Sequence, residues 1–209
     1  MKRPKTSRAW WLDRHVHDPF VKLAQKEGYR SRAAYKLLGL DERDHLLKPG
    51  MTVVDLGAAP GGWCQVAAKK VGEQGKVIGI DLLPVLPVPG VQLFQADFTE
   101  AEGLALVEDA LKGKKADLVL SDMAPNISGV KDADQAKHYM LAELALDFAS
   151  RWLKPEGAFV VKVFQGSGFE EYLKQVRMVF KKVVTRKPEA SRDESRENFL
   201  VARGLKERT

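Results

Sequence analysis

Cysteine is nearly absent. Cys64 stands alone, so no disulfide can close within the chain, and in a loop-to-helix setting it reads as a small buried hydrophobe rather than a reactive thiol. Histidine is scarce as well, and His15, His17, His45 and His138 show no ligand spacing with cysteine, so no metal site is expected. No uncharged apolar run approaches the ~20 residues that span a bilayer. The basic stretch 1–11 has no apolar run behind it, which argues against a secretory signal and for a cytoplasmic protein without membrane attachment. Repeats, low-complexity tracts and Ser/Gly linkers are missing too. The 209 residues therefore suit one domain, 31–209, preceded by a basic segment, 1–30, whose first fourteen residues are expected to be mobile.

Charge is abundant but unevenly placed. Residues 1–36 carry a net +7, residues 37–173 a net −7 and residues 174–209 a net +6. If the basic head and tail meet in the fold, they form one patch suited to phosphate backbones. Arg30, Arg32, Lys2, Arg3, Lys5 and Arg8 supply the head, and Lys181, Lys182, Arg186, Lys187, Arg192 and Arg196 the tail.

Two stretches near the start, 19–27 and 31–40, have helical apolar spacing, with Ser31 placed to cap the second. Beyond Lys48-Pro49-Gly50, short apolar runs alternate with longer amphipathic ones. The short runs 52–56, 76–81, 91–96, 117–121, 158–164, 181–186 and 198–202 read as strands. The longer ones, 65–71, 99–111, 133–153 and 169–180, read as helix or loop. This alternation predicts an α/β fold with a mostly parallel sheet covered on both faces, its last two strands forming an antiparallel hairpin at the edge.

The chain is organised around Val53-Val54-Asp55-Leu56-Gly57-Ala58-Ala59-Pro60-Gly61-Gly62-Trp63. An apolar strand runs through a carboxylate into a glycine-rich turn and then a helix, the pattern of a nucleotide-binding loop. Gly57 can take positive φ at the turn, and Gly61 and Gly62 carry no Cβ to hold a ligand away. The spacing is not G-x-G-x-x-G, and Pro60 removes an amide that could cradle a pyrophosphate, so a nucleoside without phosphates fits better.

In open α/β sheets ligands sit beyond the carboxyl ends of the strands. Asp55, Asp81, Asp97, Asp122 and Lys162 stand there. Asp81 is placed to accept ribose hydroxyls and Asp97 to accept from an exocyclic amine of adenine. Lys162 is anomalous in another way, because it interrupts the apolar strand Phe159-Val160-Val161-Lys162-Val163-Phe164, where a solvated lysine is not expected.

The Asp-Leu-Gly-Ala-Ala-Pro-Gly-Gly-Trp loop resembles motif I of S-adenosylmethionine-dependent methyltransferases, in the form carried by the FtsJ/RrmJ family of RNA 2′-O-ribose methyltransferases, and the resemblance runs from about Ser31 to Arg203. It implies a Rossmann-like, seven-stranded sheet with the last strand antiparallel. It also implies S-adenosylmethionine as cofactor, with contacts at Gly61, Trp63, Asp81, Asp97 and Asp122, to which the strand-and-turn pattern adds Asp55, Gly57 and Gly62 as candidate cofactor-binding residues. The family carries a Lys-Asp-Lys-Glu tetrad, and Lys36, Asp122, Lys162 and Glu197 match it.

A secondary alcohol is a very weak acid, so methyl transfer to a ribose needs a base or a group that stabilises the developing alkoxide. By the resemblance Lys162 fills that role, with Lys36 as the second cation beside it. Asp122 would hold Lys162 and the donor in line, and Glu197 would orient Lys36 or the ribose. Adenine N-methyltransferases usually carry Pro-Pro and an aromatic after the acidic residue. Ala124 and Asn126 depart from that pattern, which disfavours base methylation. Within the family the chain is similar to members that methylate a uridine ribose in the large-subunit (23S) rRNA, which implies the assembled 50S particle or a late precursor as substrate; a monomer is expected. The rivals are a tRNA or mRNA-cap 2′-O-methyltransferase and a non-catalytic RNA-binding assembly factor.

Overall fold

The computed structural model describes residues 18–125, 128–192 and 195–207. The expected mobile segment 1–14, with Lys2, Arg3, Lys5, Arg8 and His15, and also His17 and Asn126, lies outside them.

Among the described residues two helices, α1 (Pro19–Glu27) and α2 (Ala33–Asp44), precede seven strands and four further helices. In chain order these are β1 (Thr52–Leu56), α3 (Gly62–Val71), β2 (Lys76–Asp81), β3 (Val91–Gln95), α4 (Ala101–Leu111), β4 (Ala116–Ser121), α5 (Lys131–Trp152), β5 (Leu153–Phe164), α6 (Phe169–Val179), β6 (Phe180–Arg186) and β7 (Glu197–Leu205). They form one sheet in the order β3-β2-β1-β4-β5-β7-β6. β1 to β5 run parallel, and β7 lies antiparallel between β5 and β6. The fold is therefore the Rossmann-like methyltransferase architecture expected, with the reversed strand inside the β5–β6 gap.

Side chains alternate between the faces of each strand, and so two cores form. One holds Leu56, Ile80, Val119, Val161, Phe148 and Tyr172 beneath α4, α5 and α6. The other holds Val53, Leu118, Val160, Phe199, Leu37 and Trp63 beneath α2 and α3.

The differences from expectation have local causes. β5 begins at Leu153, five residues before the expected 158, and the pairing with β4 shifts register between Ala116 and Leu118. Lys154, Pro155 and Glu156 are exposed and polar, so an extended backbone there carries no apolar alternation to betray it. Ser31 does not cap α2. Arg32, with α-helical φ −60° and ψ −19°, holds that position without a side-chain hydrogen bond. α3 starts at Gly62 rather than at residue 65, so the glycine turn feeds directly into the helix.

Candidate active site

The first strand delivers the glycine turn to the carboxyl edge of the sheet. Gly57 takes φ +86°, and its amide donates to the Ile80 carbonyl at 2.9 Å, tying the turn to β2. A Cβ there would lie 2.9 Å from both the Met123 amide nitrogen and Cγ, so the turn passes too close to the end of β4 for any side chain.

Beneath the turn, Asp55 is fully buried. One of its oxygens accepts from the Cys64 thiol at 3.2 Å, and Oδ1 has no protein partner among the described residues. Burial pushes this carboxyl up to about 7 against the thiol hydrogen bond, with the charges of Asp122 and Asp81 adding to the rise. The Cys64 thiol is itself driven upward by burial, so it is not a reactive thiolate.

A cleft of about 720 Å³ opens beyond the strand ends, lined among others by Gly57, Asp81, Asp97, Asp122, Met123 and Leu83. Asp81 Oδ2 accepts from the Ala59 amide at 2.9 Å and Oδ1 from the Leu83 amide at 2.8 Å. One carboxylate thus shapes two loops around the cleft while each oxygen keeps a lone pair. Asp97 uses Oδ1 to accept from the amide and hydroxyl of Thr99. Its Oδ2 takes no protein donor among the described residues.

Three residues expected to touch a cofactor make contacts within the protein instead of lining the cleft. Trp63 is 3% exposed; its indole Nε1 donates to the Ala33 carbonyl at 2.7 Å and its ring packs 5.7 Å from that of Phe199. A Cβ on Gly62 would come within 2.8 Å of Ser31 Oγ, so the lack of a side chain there lets α3 pack against α2. At Gly61, φ +110°, a Cβ would meet the Arg30 guanidinium at 2.8 Å. None of these three lines the cleft. The burial of Trp63 and Gly62 against the start of α2, and of Gly61 against Arg30, is a tertiary outcome that a strand-loop-helix pattern does not encode.

The tetrad residues form two pairs. Lys162 Nζ, on β5, donates to the Asp122 main-chain carbonyl at 2.8 Å and lies 3.0 Å from its Oδ1. Lys36 Nζ, from α2, lies 2.7 Å from Glu197 Oε1 and donates to Oε2 at 2.8 Å. Phe199 joins the pairs. It stands directly opposite Lys162 in the β5–β7 ladder, two residues along from Glu197 on the same strand face. Lys36 Nζ sits 5.8 Å from the centre of its ring. Lys162 and Glu197 are both largely buried, at 7% and 8% exposure.

Several contacts here had no sequence signal. Ser191, 4% exposed, donates its hydroxyl to Glu197 Oε1 at 2.9 Å. His138 is buried among the rings of Phe164 and Tyr139, and burial pushes its imidazole down to about 4, so it is neutral at physiological pH. Arg30 and Arg32, expected on an RNA-facing surface, both spend guanidinium donors on groups of the protein itself. Arg30 donates to the carbonyls of Pro60 at 3.2 Å, Leu86 at 2.5 Å and Pro87 at 2.6 Å. Arg32 pairs with Asp18 and donates to the Ala190 carbonyl. No helix among the described residues is long and apolar enough to cross a membrane.

A seven-stranded sheet with an inserted antiparallel strand, a glycine turn and acidic strand ends around a nucleoside-sized cleft defines a Rossmann-like methyltransferase. Comparison with known sequences narrows this. The sequence pattern of the FtsJ-like methyltransferases matches residues 29–205, and the chain belongs to that family. It is 62% identical to the ribosomal RNA large subunit methyltransferase E of Thiobacillus denitrificans, covering 97% of this chain and 91% of that one. To the protein of the same name from Methylobacillus flagellatus it is 58% identical, covering 100% and 99%. Among solved structures, a putative ribosomal RNA methyltransferase from Plasmodium falciparum superimposes with a TM-score of 0.74 at 31% identity, covering 85% of this chain and 98% of that one.

Proposed function

We propose that the protein is an S-adenosylmethionine-dependent RNA methyltransferase that modifies the 2′-hydroxyl of a uridine in the 23S rRNA of the large ribosomal subunit. The observation that carries this reading is the meeting of two lysine–carboxylate pairs around Phe199, beside the cleft under the glycine turn. The names of relatives at 62% and 58% identity support the large-subunit rRNA as substrate.

The cleft fits the cofactor. Its volume is that of a small-molecule site, and Asp81 and Asp97 offer acceptor oxygens for ribose hydroxyls and an adenine amine. Bound S-adenosylmethionine supplies an electrophilic methyl group on a sulfonium. The chain's own groups then act on the ribose. Lys162 Nζ accepts the 2′-hydroxyl proton or stabilises the developing alkoxide, and Asp122 fixes that ammonium through both its carbonyl and its carboxylate. Lys36, held by Glu197, places a second positive charge on the same face, where it favours a negatively charged oxygen. Lys162 is only 7% exposed, so these interactions are screened less than they would be in bulk water.

Methylation assays with labelled donor on 50S subunits, 30S subunits and tRNA, taken from a strain lacking the activity, test the proposal. The expected result is label on 50S alone, resistant to alkaline cleavage at one uridine. Label on tRNA would point to the tRNA rival, and label on none of the three with normal cofactor binding to a non-catalytic factor.

A further inference from the structure

We infer that Ser191 is a positioning residue for the reaction, holding Glu197 in the one orientation that presents Lys36 to the ribose. The inference rests on the tetrad reading above and goes beyond it, because Ser191 belongs to neither lysine–carboxylate pair.

A carboxylate on a strand can rotate about its last side-chain bond, and an ammonium bound to it follows whichever oxygen is better placed. Glu197 is denied that freedom from three directions. Lys36 Nζ engages both oxygens, at 2.7 and 2.8 Å. Ser191 Oγ donates to Oε1 at 2.9 Å, so one oxygen carries two donors and the carboxylate plane is set. The Glu197 amide donates to Ser195 Oγ at 3.2 Å, which fixes the backbone from which the side chain departs.

Ser191 is itself well anchored. It is 4% exposed, and its amide donates to the Pro188 carbonyl at 2.9 Å, closing a turn in the segment between β6 and β7. The preceding residue is clamped by α2, since the Ala190 carbonyl accepts from Arg32, whose guanidinium also pairs with Asp18, the residue that caps α1. Arg192, on the other side, lies 3.7 Å from the same Asp18 carboxylate. The hydroxyl is thus delivered to Glu197 from a segment locked to both N-terminal helices.

Lys36 extends from α2 to lie over the ring of Phe199, the residue that faces Lys162 in the ladder, and Glu197 is its only carboxylate partner among the described residues. Small displacements of a catalytic group carry large rate penalties, up to about a hundredfold for 1 Å. Hydrogen bonds to charged groups such as this one are worth roughly tenfold to a hundredfold.

The test compares Ser191→Ala, Glu197→Ala and the double variant in single-turnover methylation of 50S subunits, with cofactor affinity by calorimetry and subunit affinity by filter binding. Ser191→Ala is expected to lower the rate of methyl transfer about tenfold to a hundredfold, with both affinities within about twofold of the parent. In the Glu197→Ala background the same change is expected to have no further effect, because Ser191 acts only through that carboxylate. Ser191→Thr, which keeps the hydroxyl, is expected to recover most of the rate. Full activity in Ser191→Ala would overturn the inference, as would an equal penalty with and without Glu197 or a loss that tracks thermal unfolding in all variants. If Glu197→Ala alone leaves methylation intact, the tetrad assignment fails instead, a result distinct from failure of the Ser191 role.

Discussion

Lys162 is held by Asp122 twice, through the main-chain carbonyl at 2.8 Å and the carboxylate at 3.0 Å. A lysine with a carboxylate partner alone would leave part of its donor set free to wander inside a buried site. The second bond comes from the backbone at the end of β4, which the sheet keeps rigid. The ammonium is thus fixed by the same strand end that lines the cofactor cleft.

Replacing Lys162 with Ala is expected to abolish most methyl transfer, by about 10²- to 10⁴-fold, the usual contribution of a proton-transfer group. Cofactor affinity should change little, because the side chain does not line the cleft. Labelled-methyl incorporation into 50S subunits, set beside calorimetric binding of S-adenosylhomocysteine, measures both. Full methylation by the variant would remove Lys162 from the mechanism.

Asp55 makes stability depend on pH. Its folded value of about 7 lies above its ordinary value of 3.8, so folding takes up a proton between the two. The stabilisation is complete below 3.8, declines above it and is lost as pH rises through 7, on the order of 4 kcal/mol at most. Asp55→Asn keeps the site neutral and is expected to raise the melting temperature of the cofactor-free protein at pH 8 while changing it little at pH 4. A shift of the same size at both pH values would contradict the buried-acid account.

Arg186 and Asp44 form a two-pronged pair at 2.8 and 2.9 Å that ties β6 to the end of α2. The hydrogen bonds from Arg186 hold the Asp44 carboxyl below its ordinary value. Arg186→Ala should therefore cost about 2 kcal/mol at pH 7, or roughly 4–8 °C in melting temperature. The deficit should begin to shrink below about pH 4, where the carboxyl of the unfolded chain takes up a proton, and disappear as pH falls through the lower value of the folded protein, where the pair is lost in the parent too. Thermal melts across pH give the comparison, and a deficit that persists undiminished in acid would mean the pair is not its source.

Gly57→Ala places a Cβ against the Met123 backbone at φ +86°. The turn must shift, and cofactor affinity is expected to fall about tenfold or more even where the protein still folds. Calorimetry decides it, with unaltered affinity as the disproof.

Arg196 is exposed at the start of β7, next to Glu197. With the tail carrying a net +6, Arg196→Ala is expected to weaken RNA binding and reduce the salt slope by about one. Binding isotherms at several salt concentrations provide the slope, and one equal to the parent's would place Arg196 outside the RNA contact.

The elements were legible in the sequence because their signals are local. A β-branched run into Asp55 and Gly57 marks a strand and a turn that needs positive φ, and a lysine inside an apolar strand, Lys162, is anomalous wherever that strand goes. Burial on both faces made the parallel strands readable as continuous apolar runs. The exposed extension 154–156 of β5 lacked that mark and was invisible. Membership of the family was legible too, since the glycine turn and tetrad stand in one linear order.

What only the tertiary structure decided are the meetings between distant segments. Lys36 and Glu197 are 161 residues apart, and their contact depends on β7 inserting beside β5 in the register that sets Phe199 opposite Lys162. The same packing turned Trp63 and Gly62 inward against α2, bound Arg30 to three carbonyls and Arg32 to Asp18, and brought Ser191 onto Glu197. A charge, a small residue or a hydroxyl carries no local record of its partner. The partner is chosen by which faces the apolar cores press together, and that choice is made by the whole chain at once.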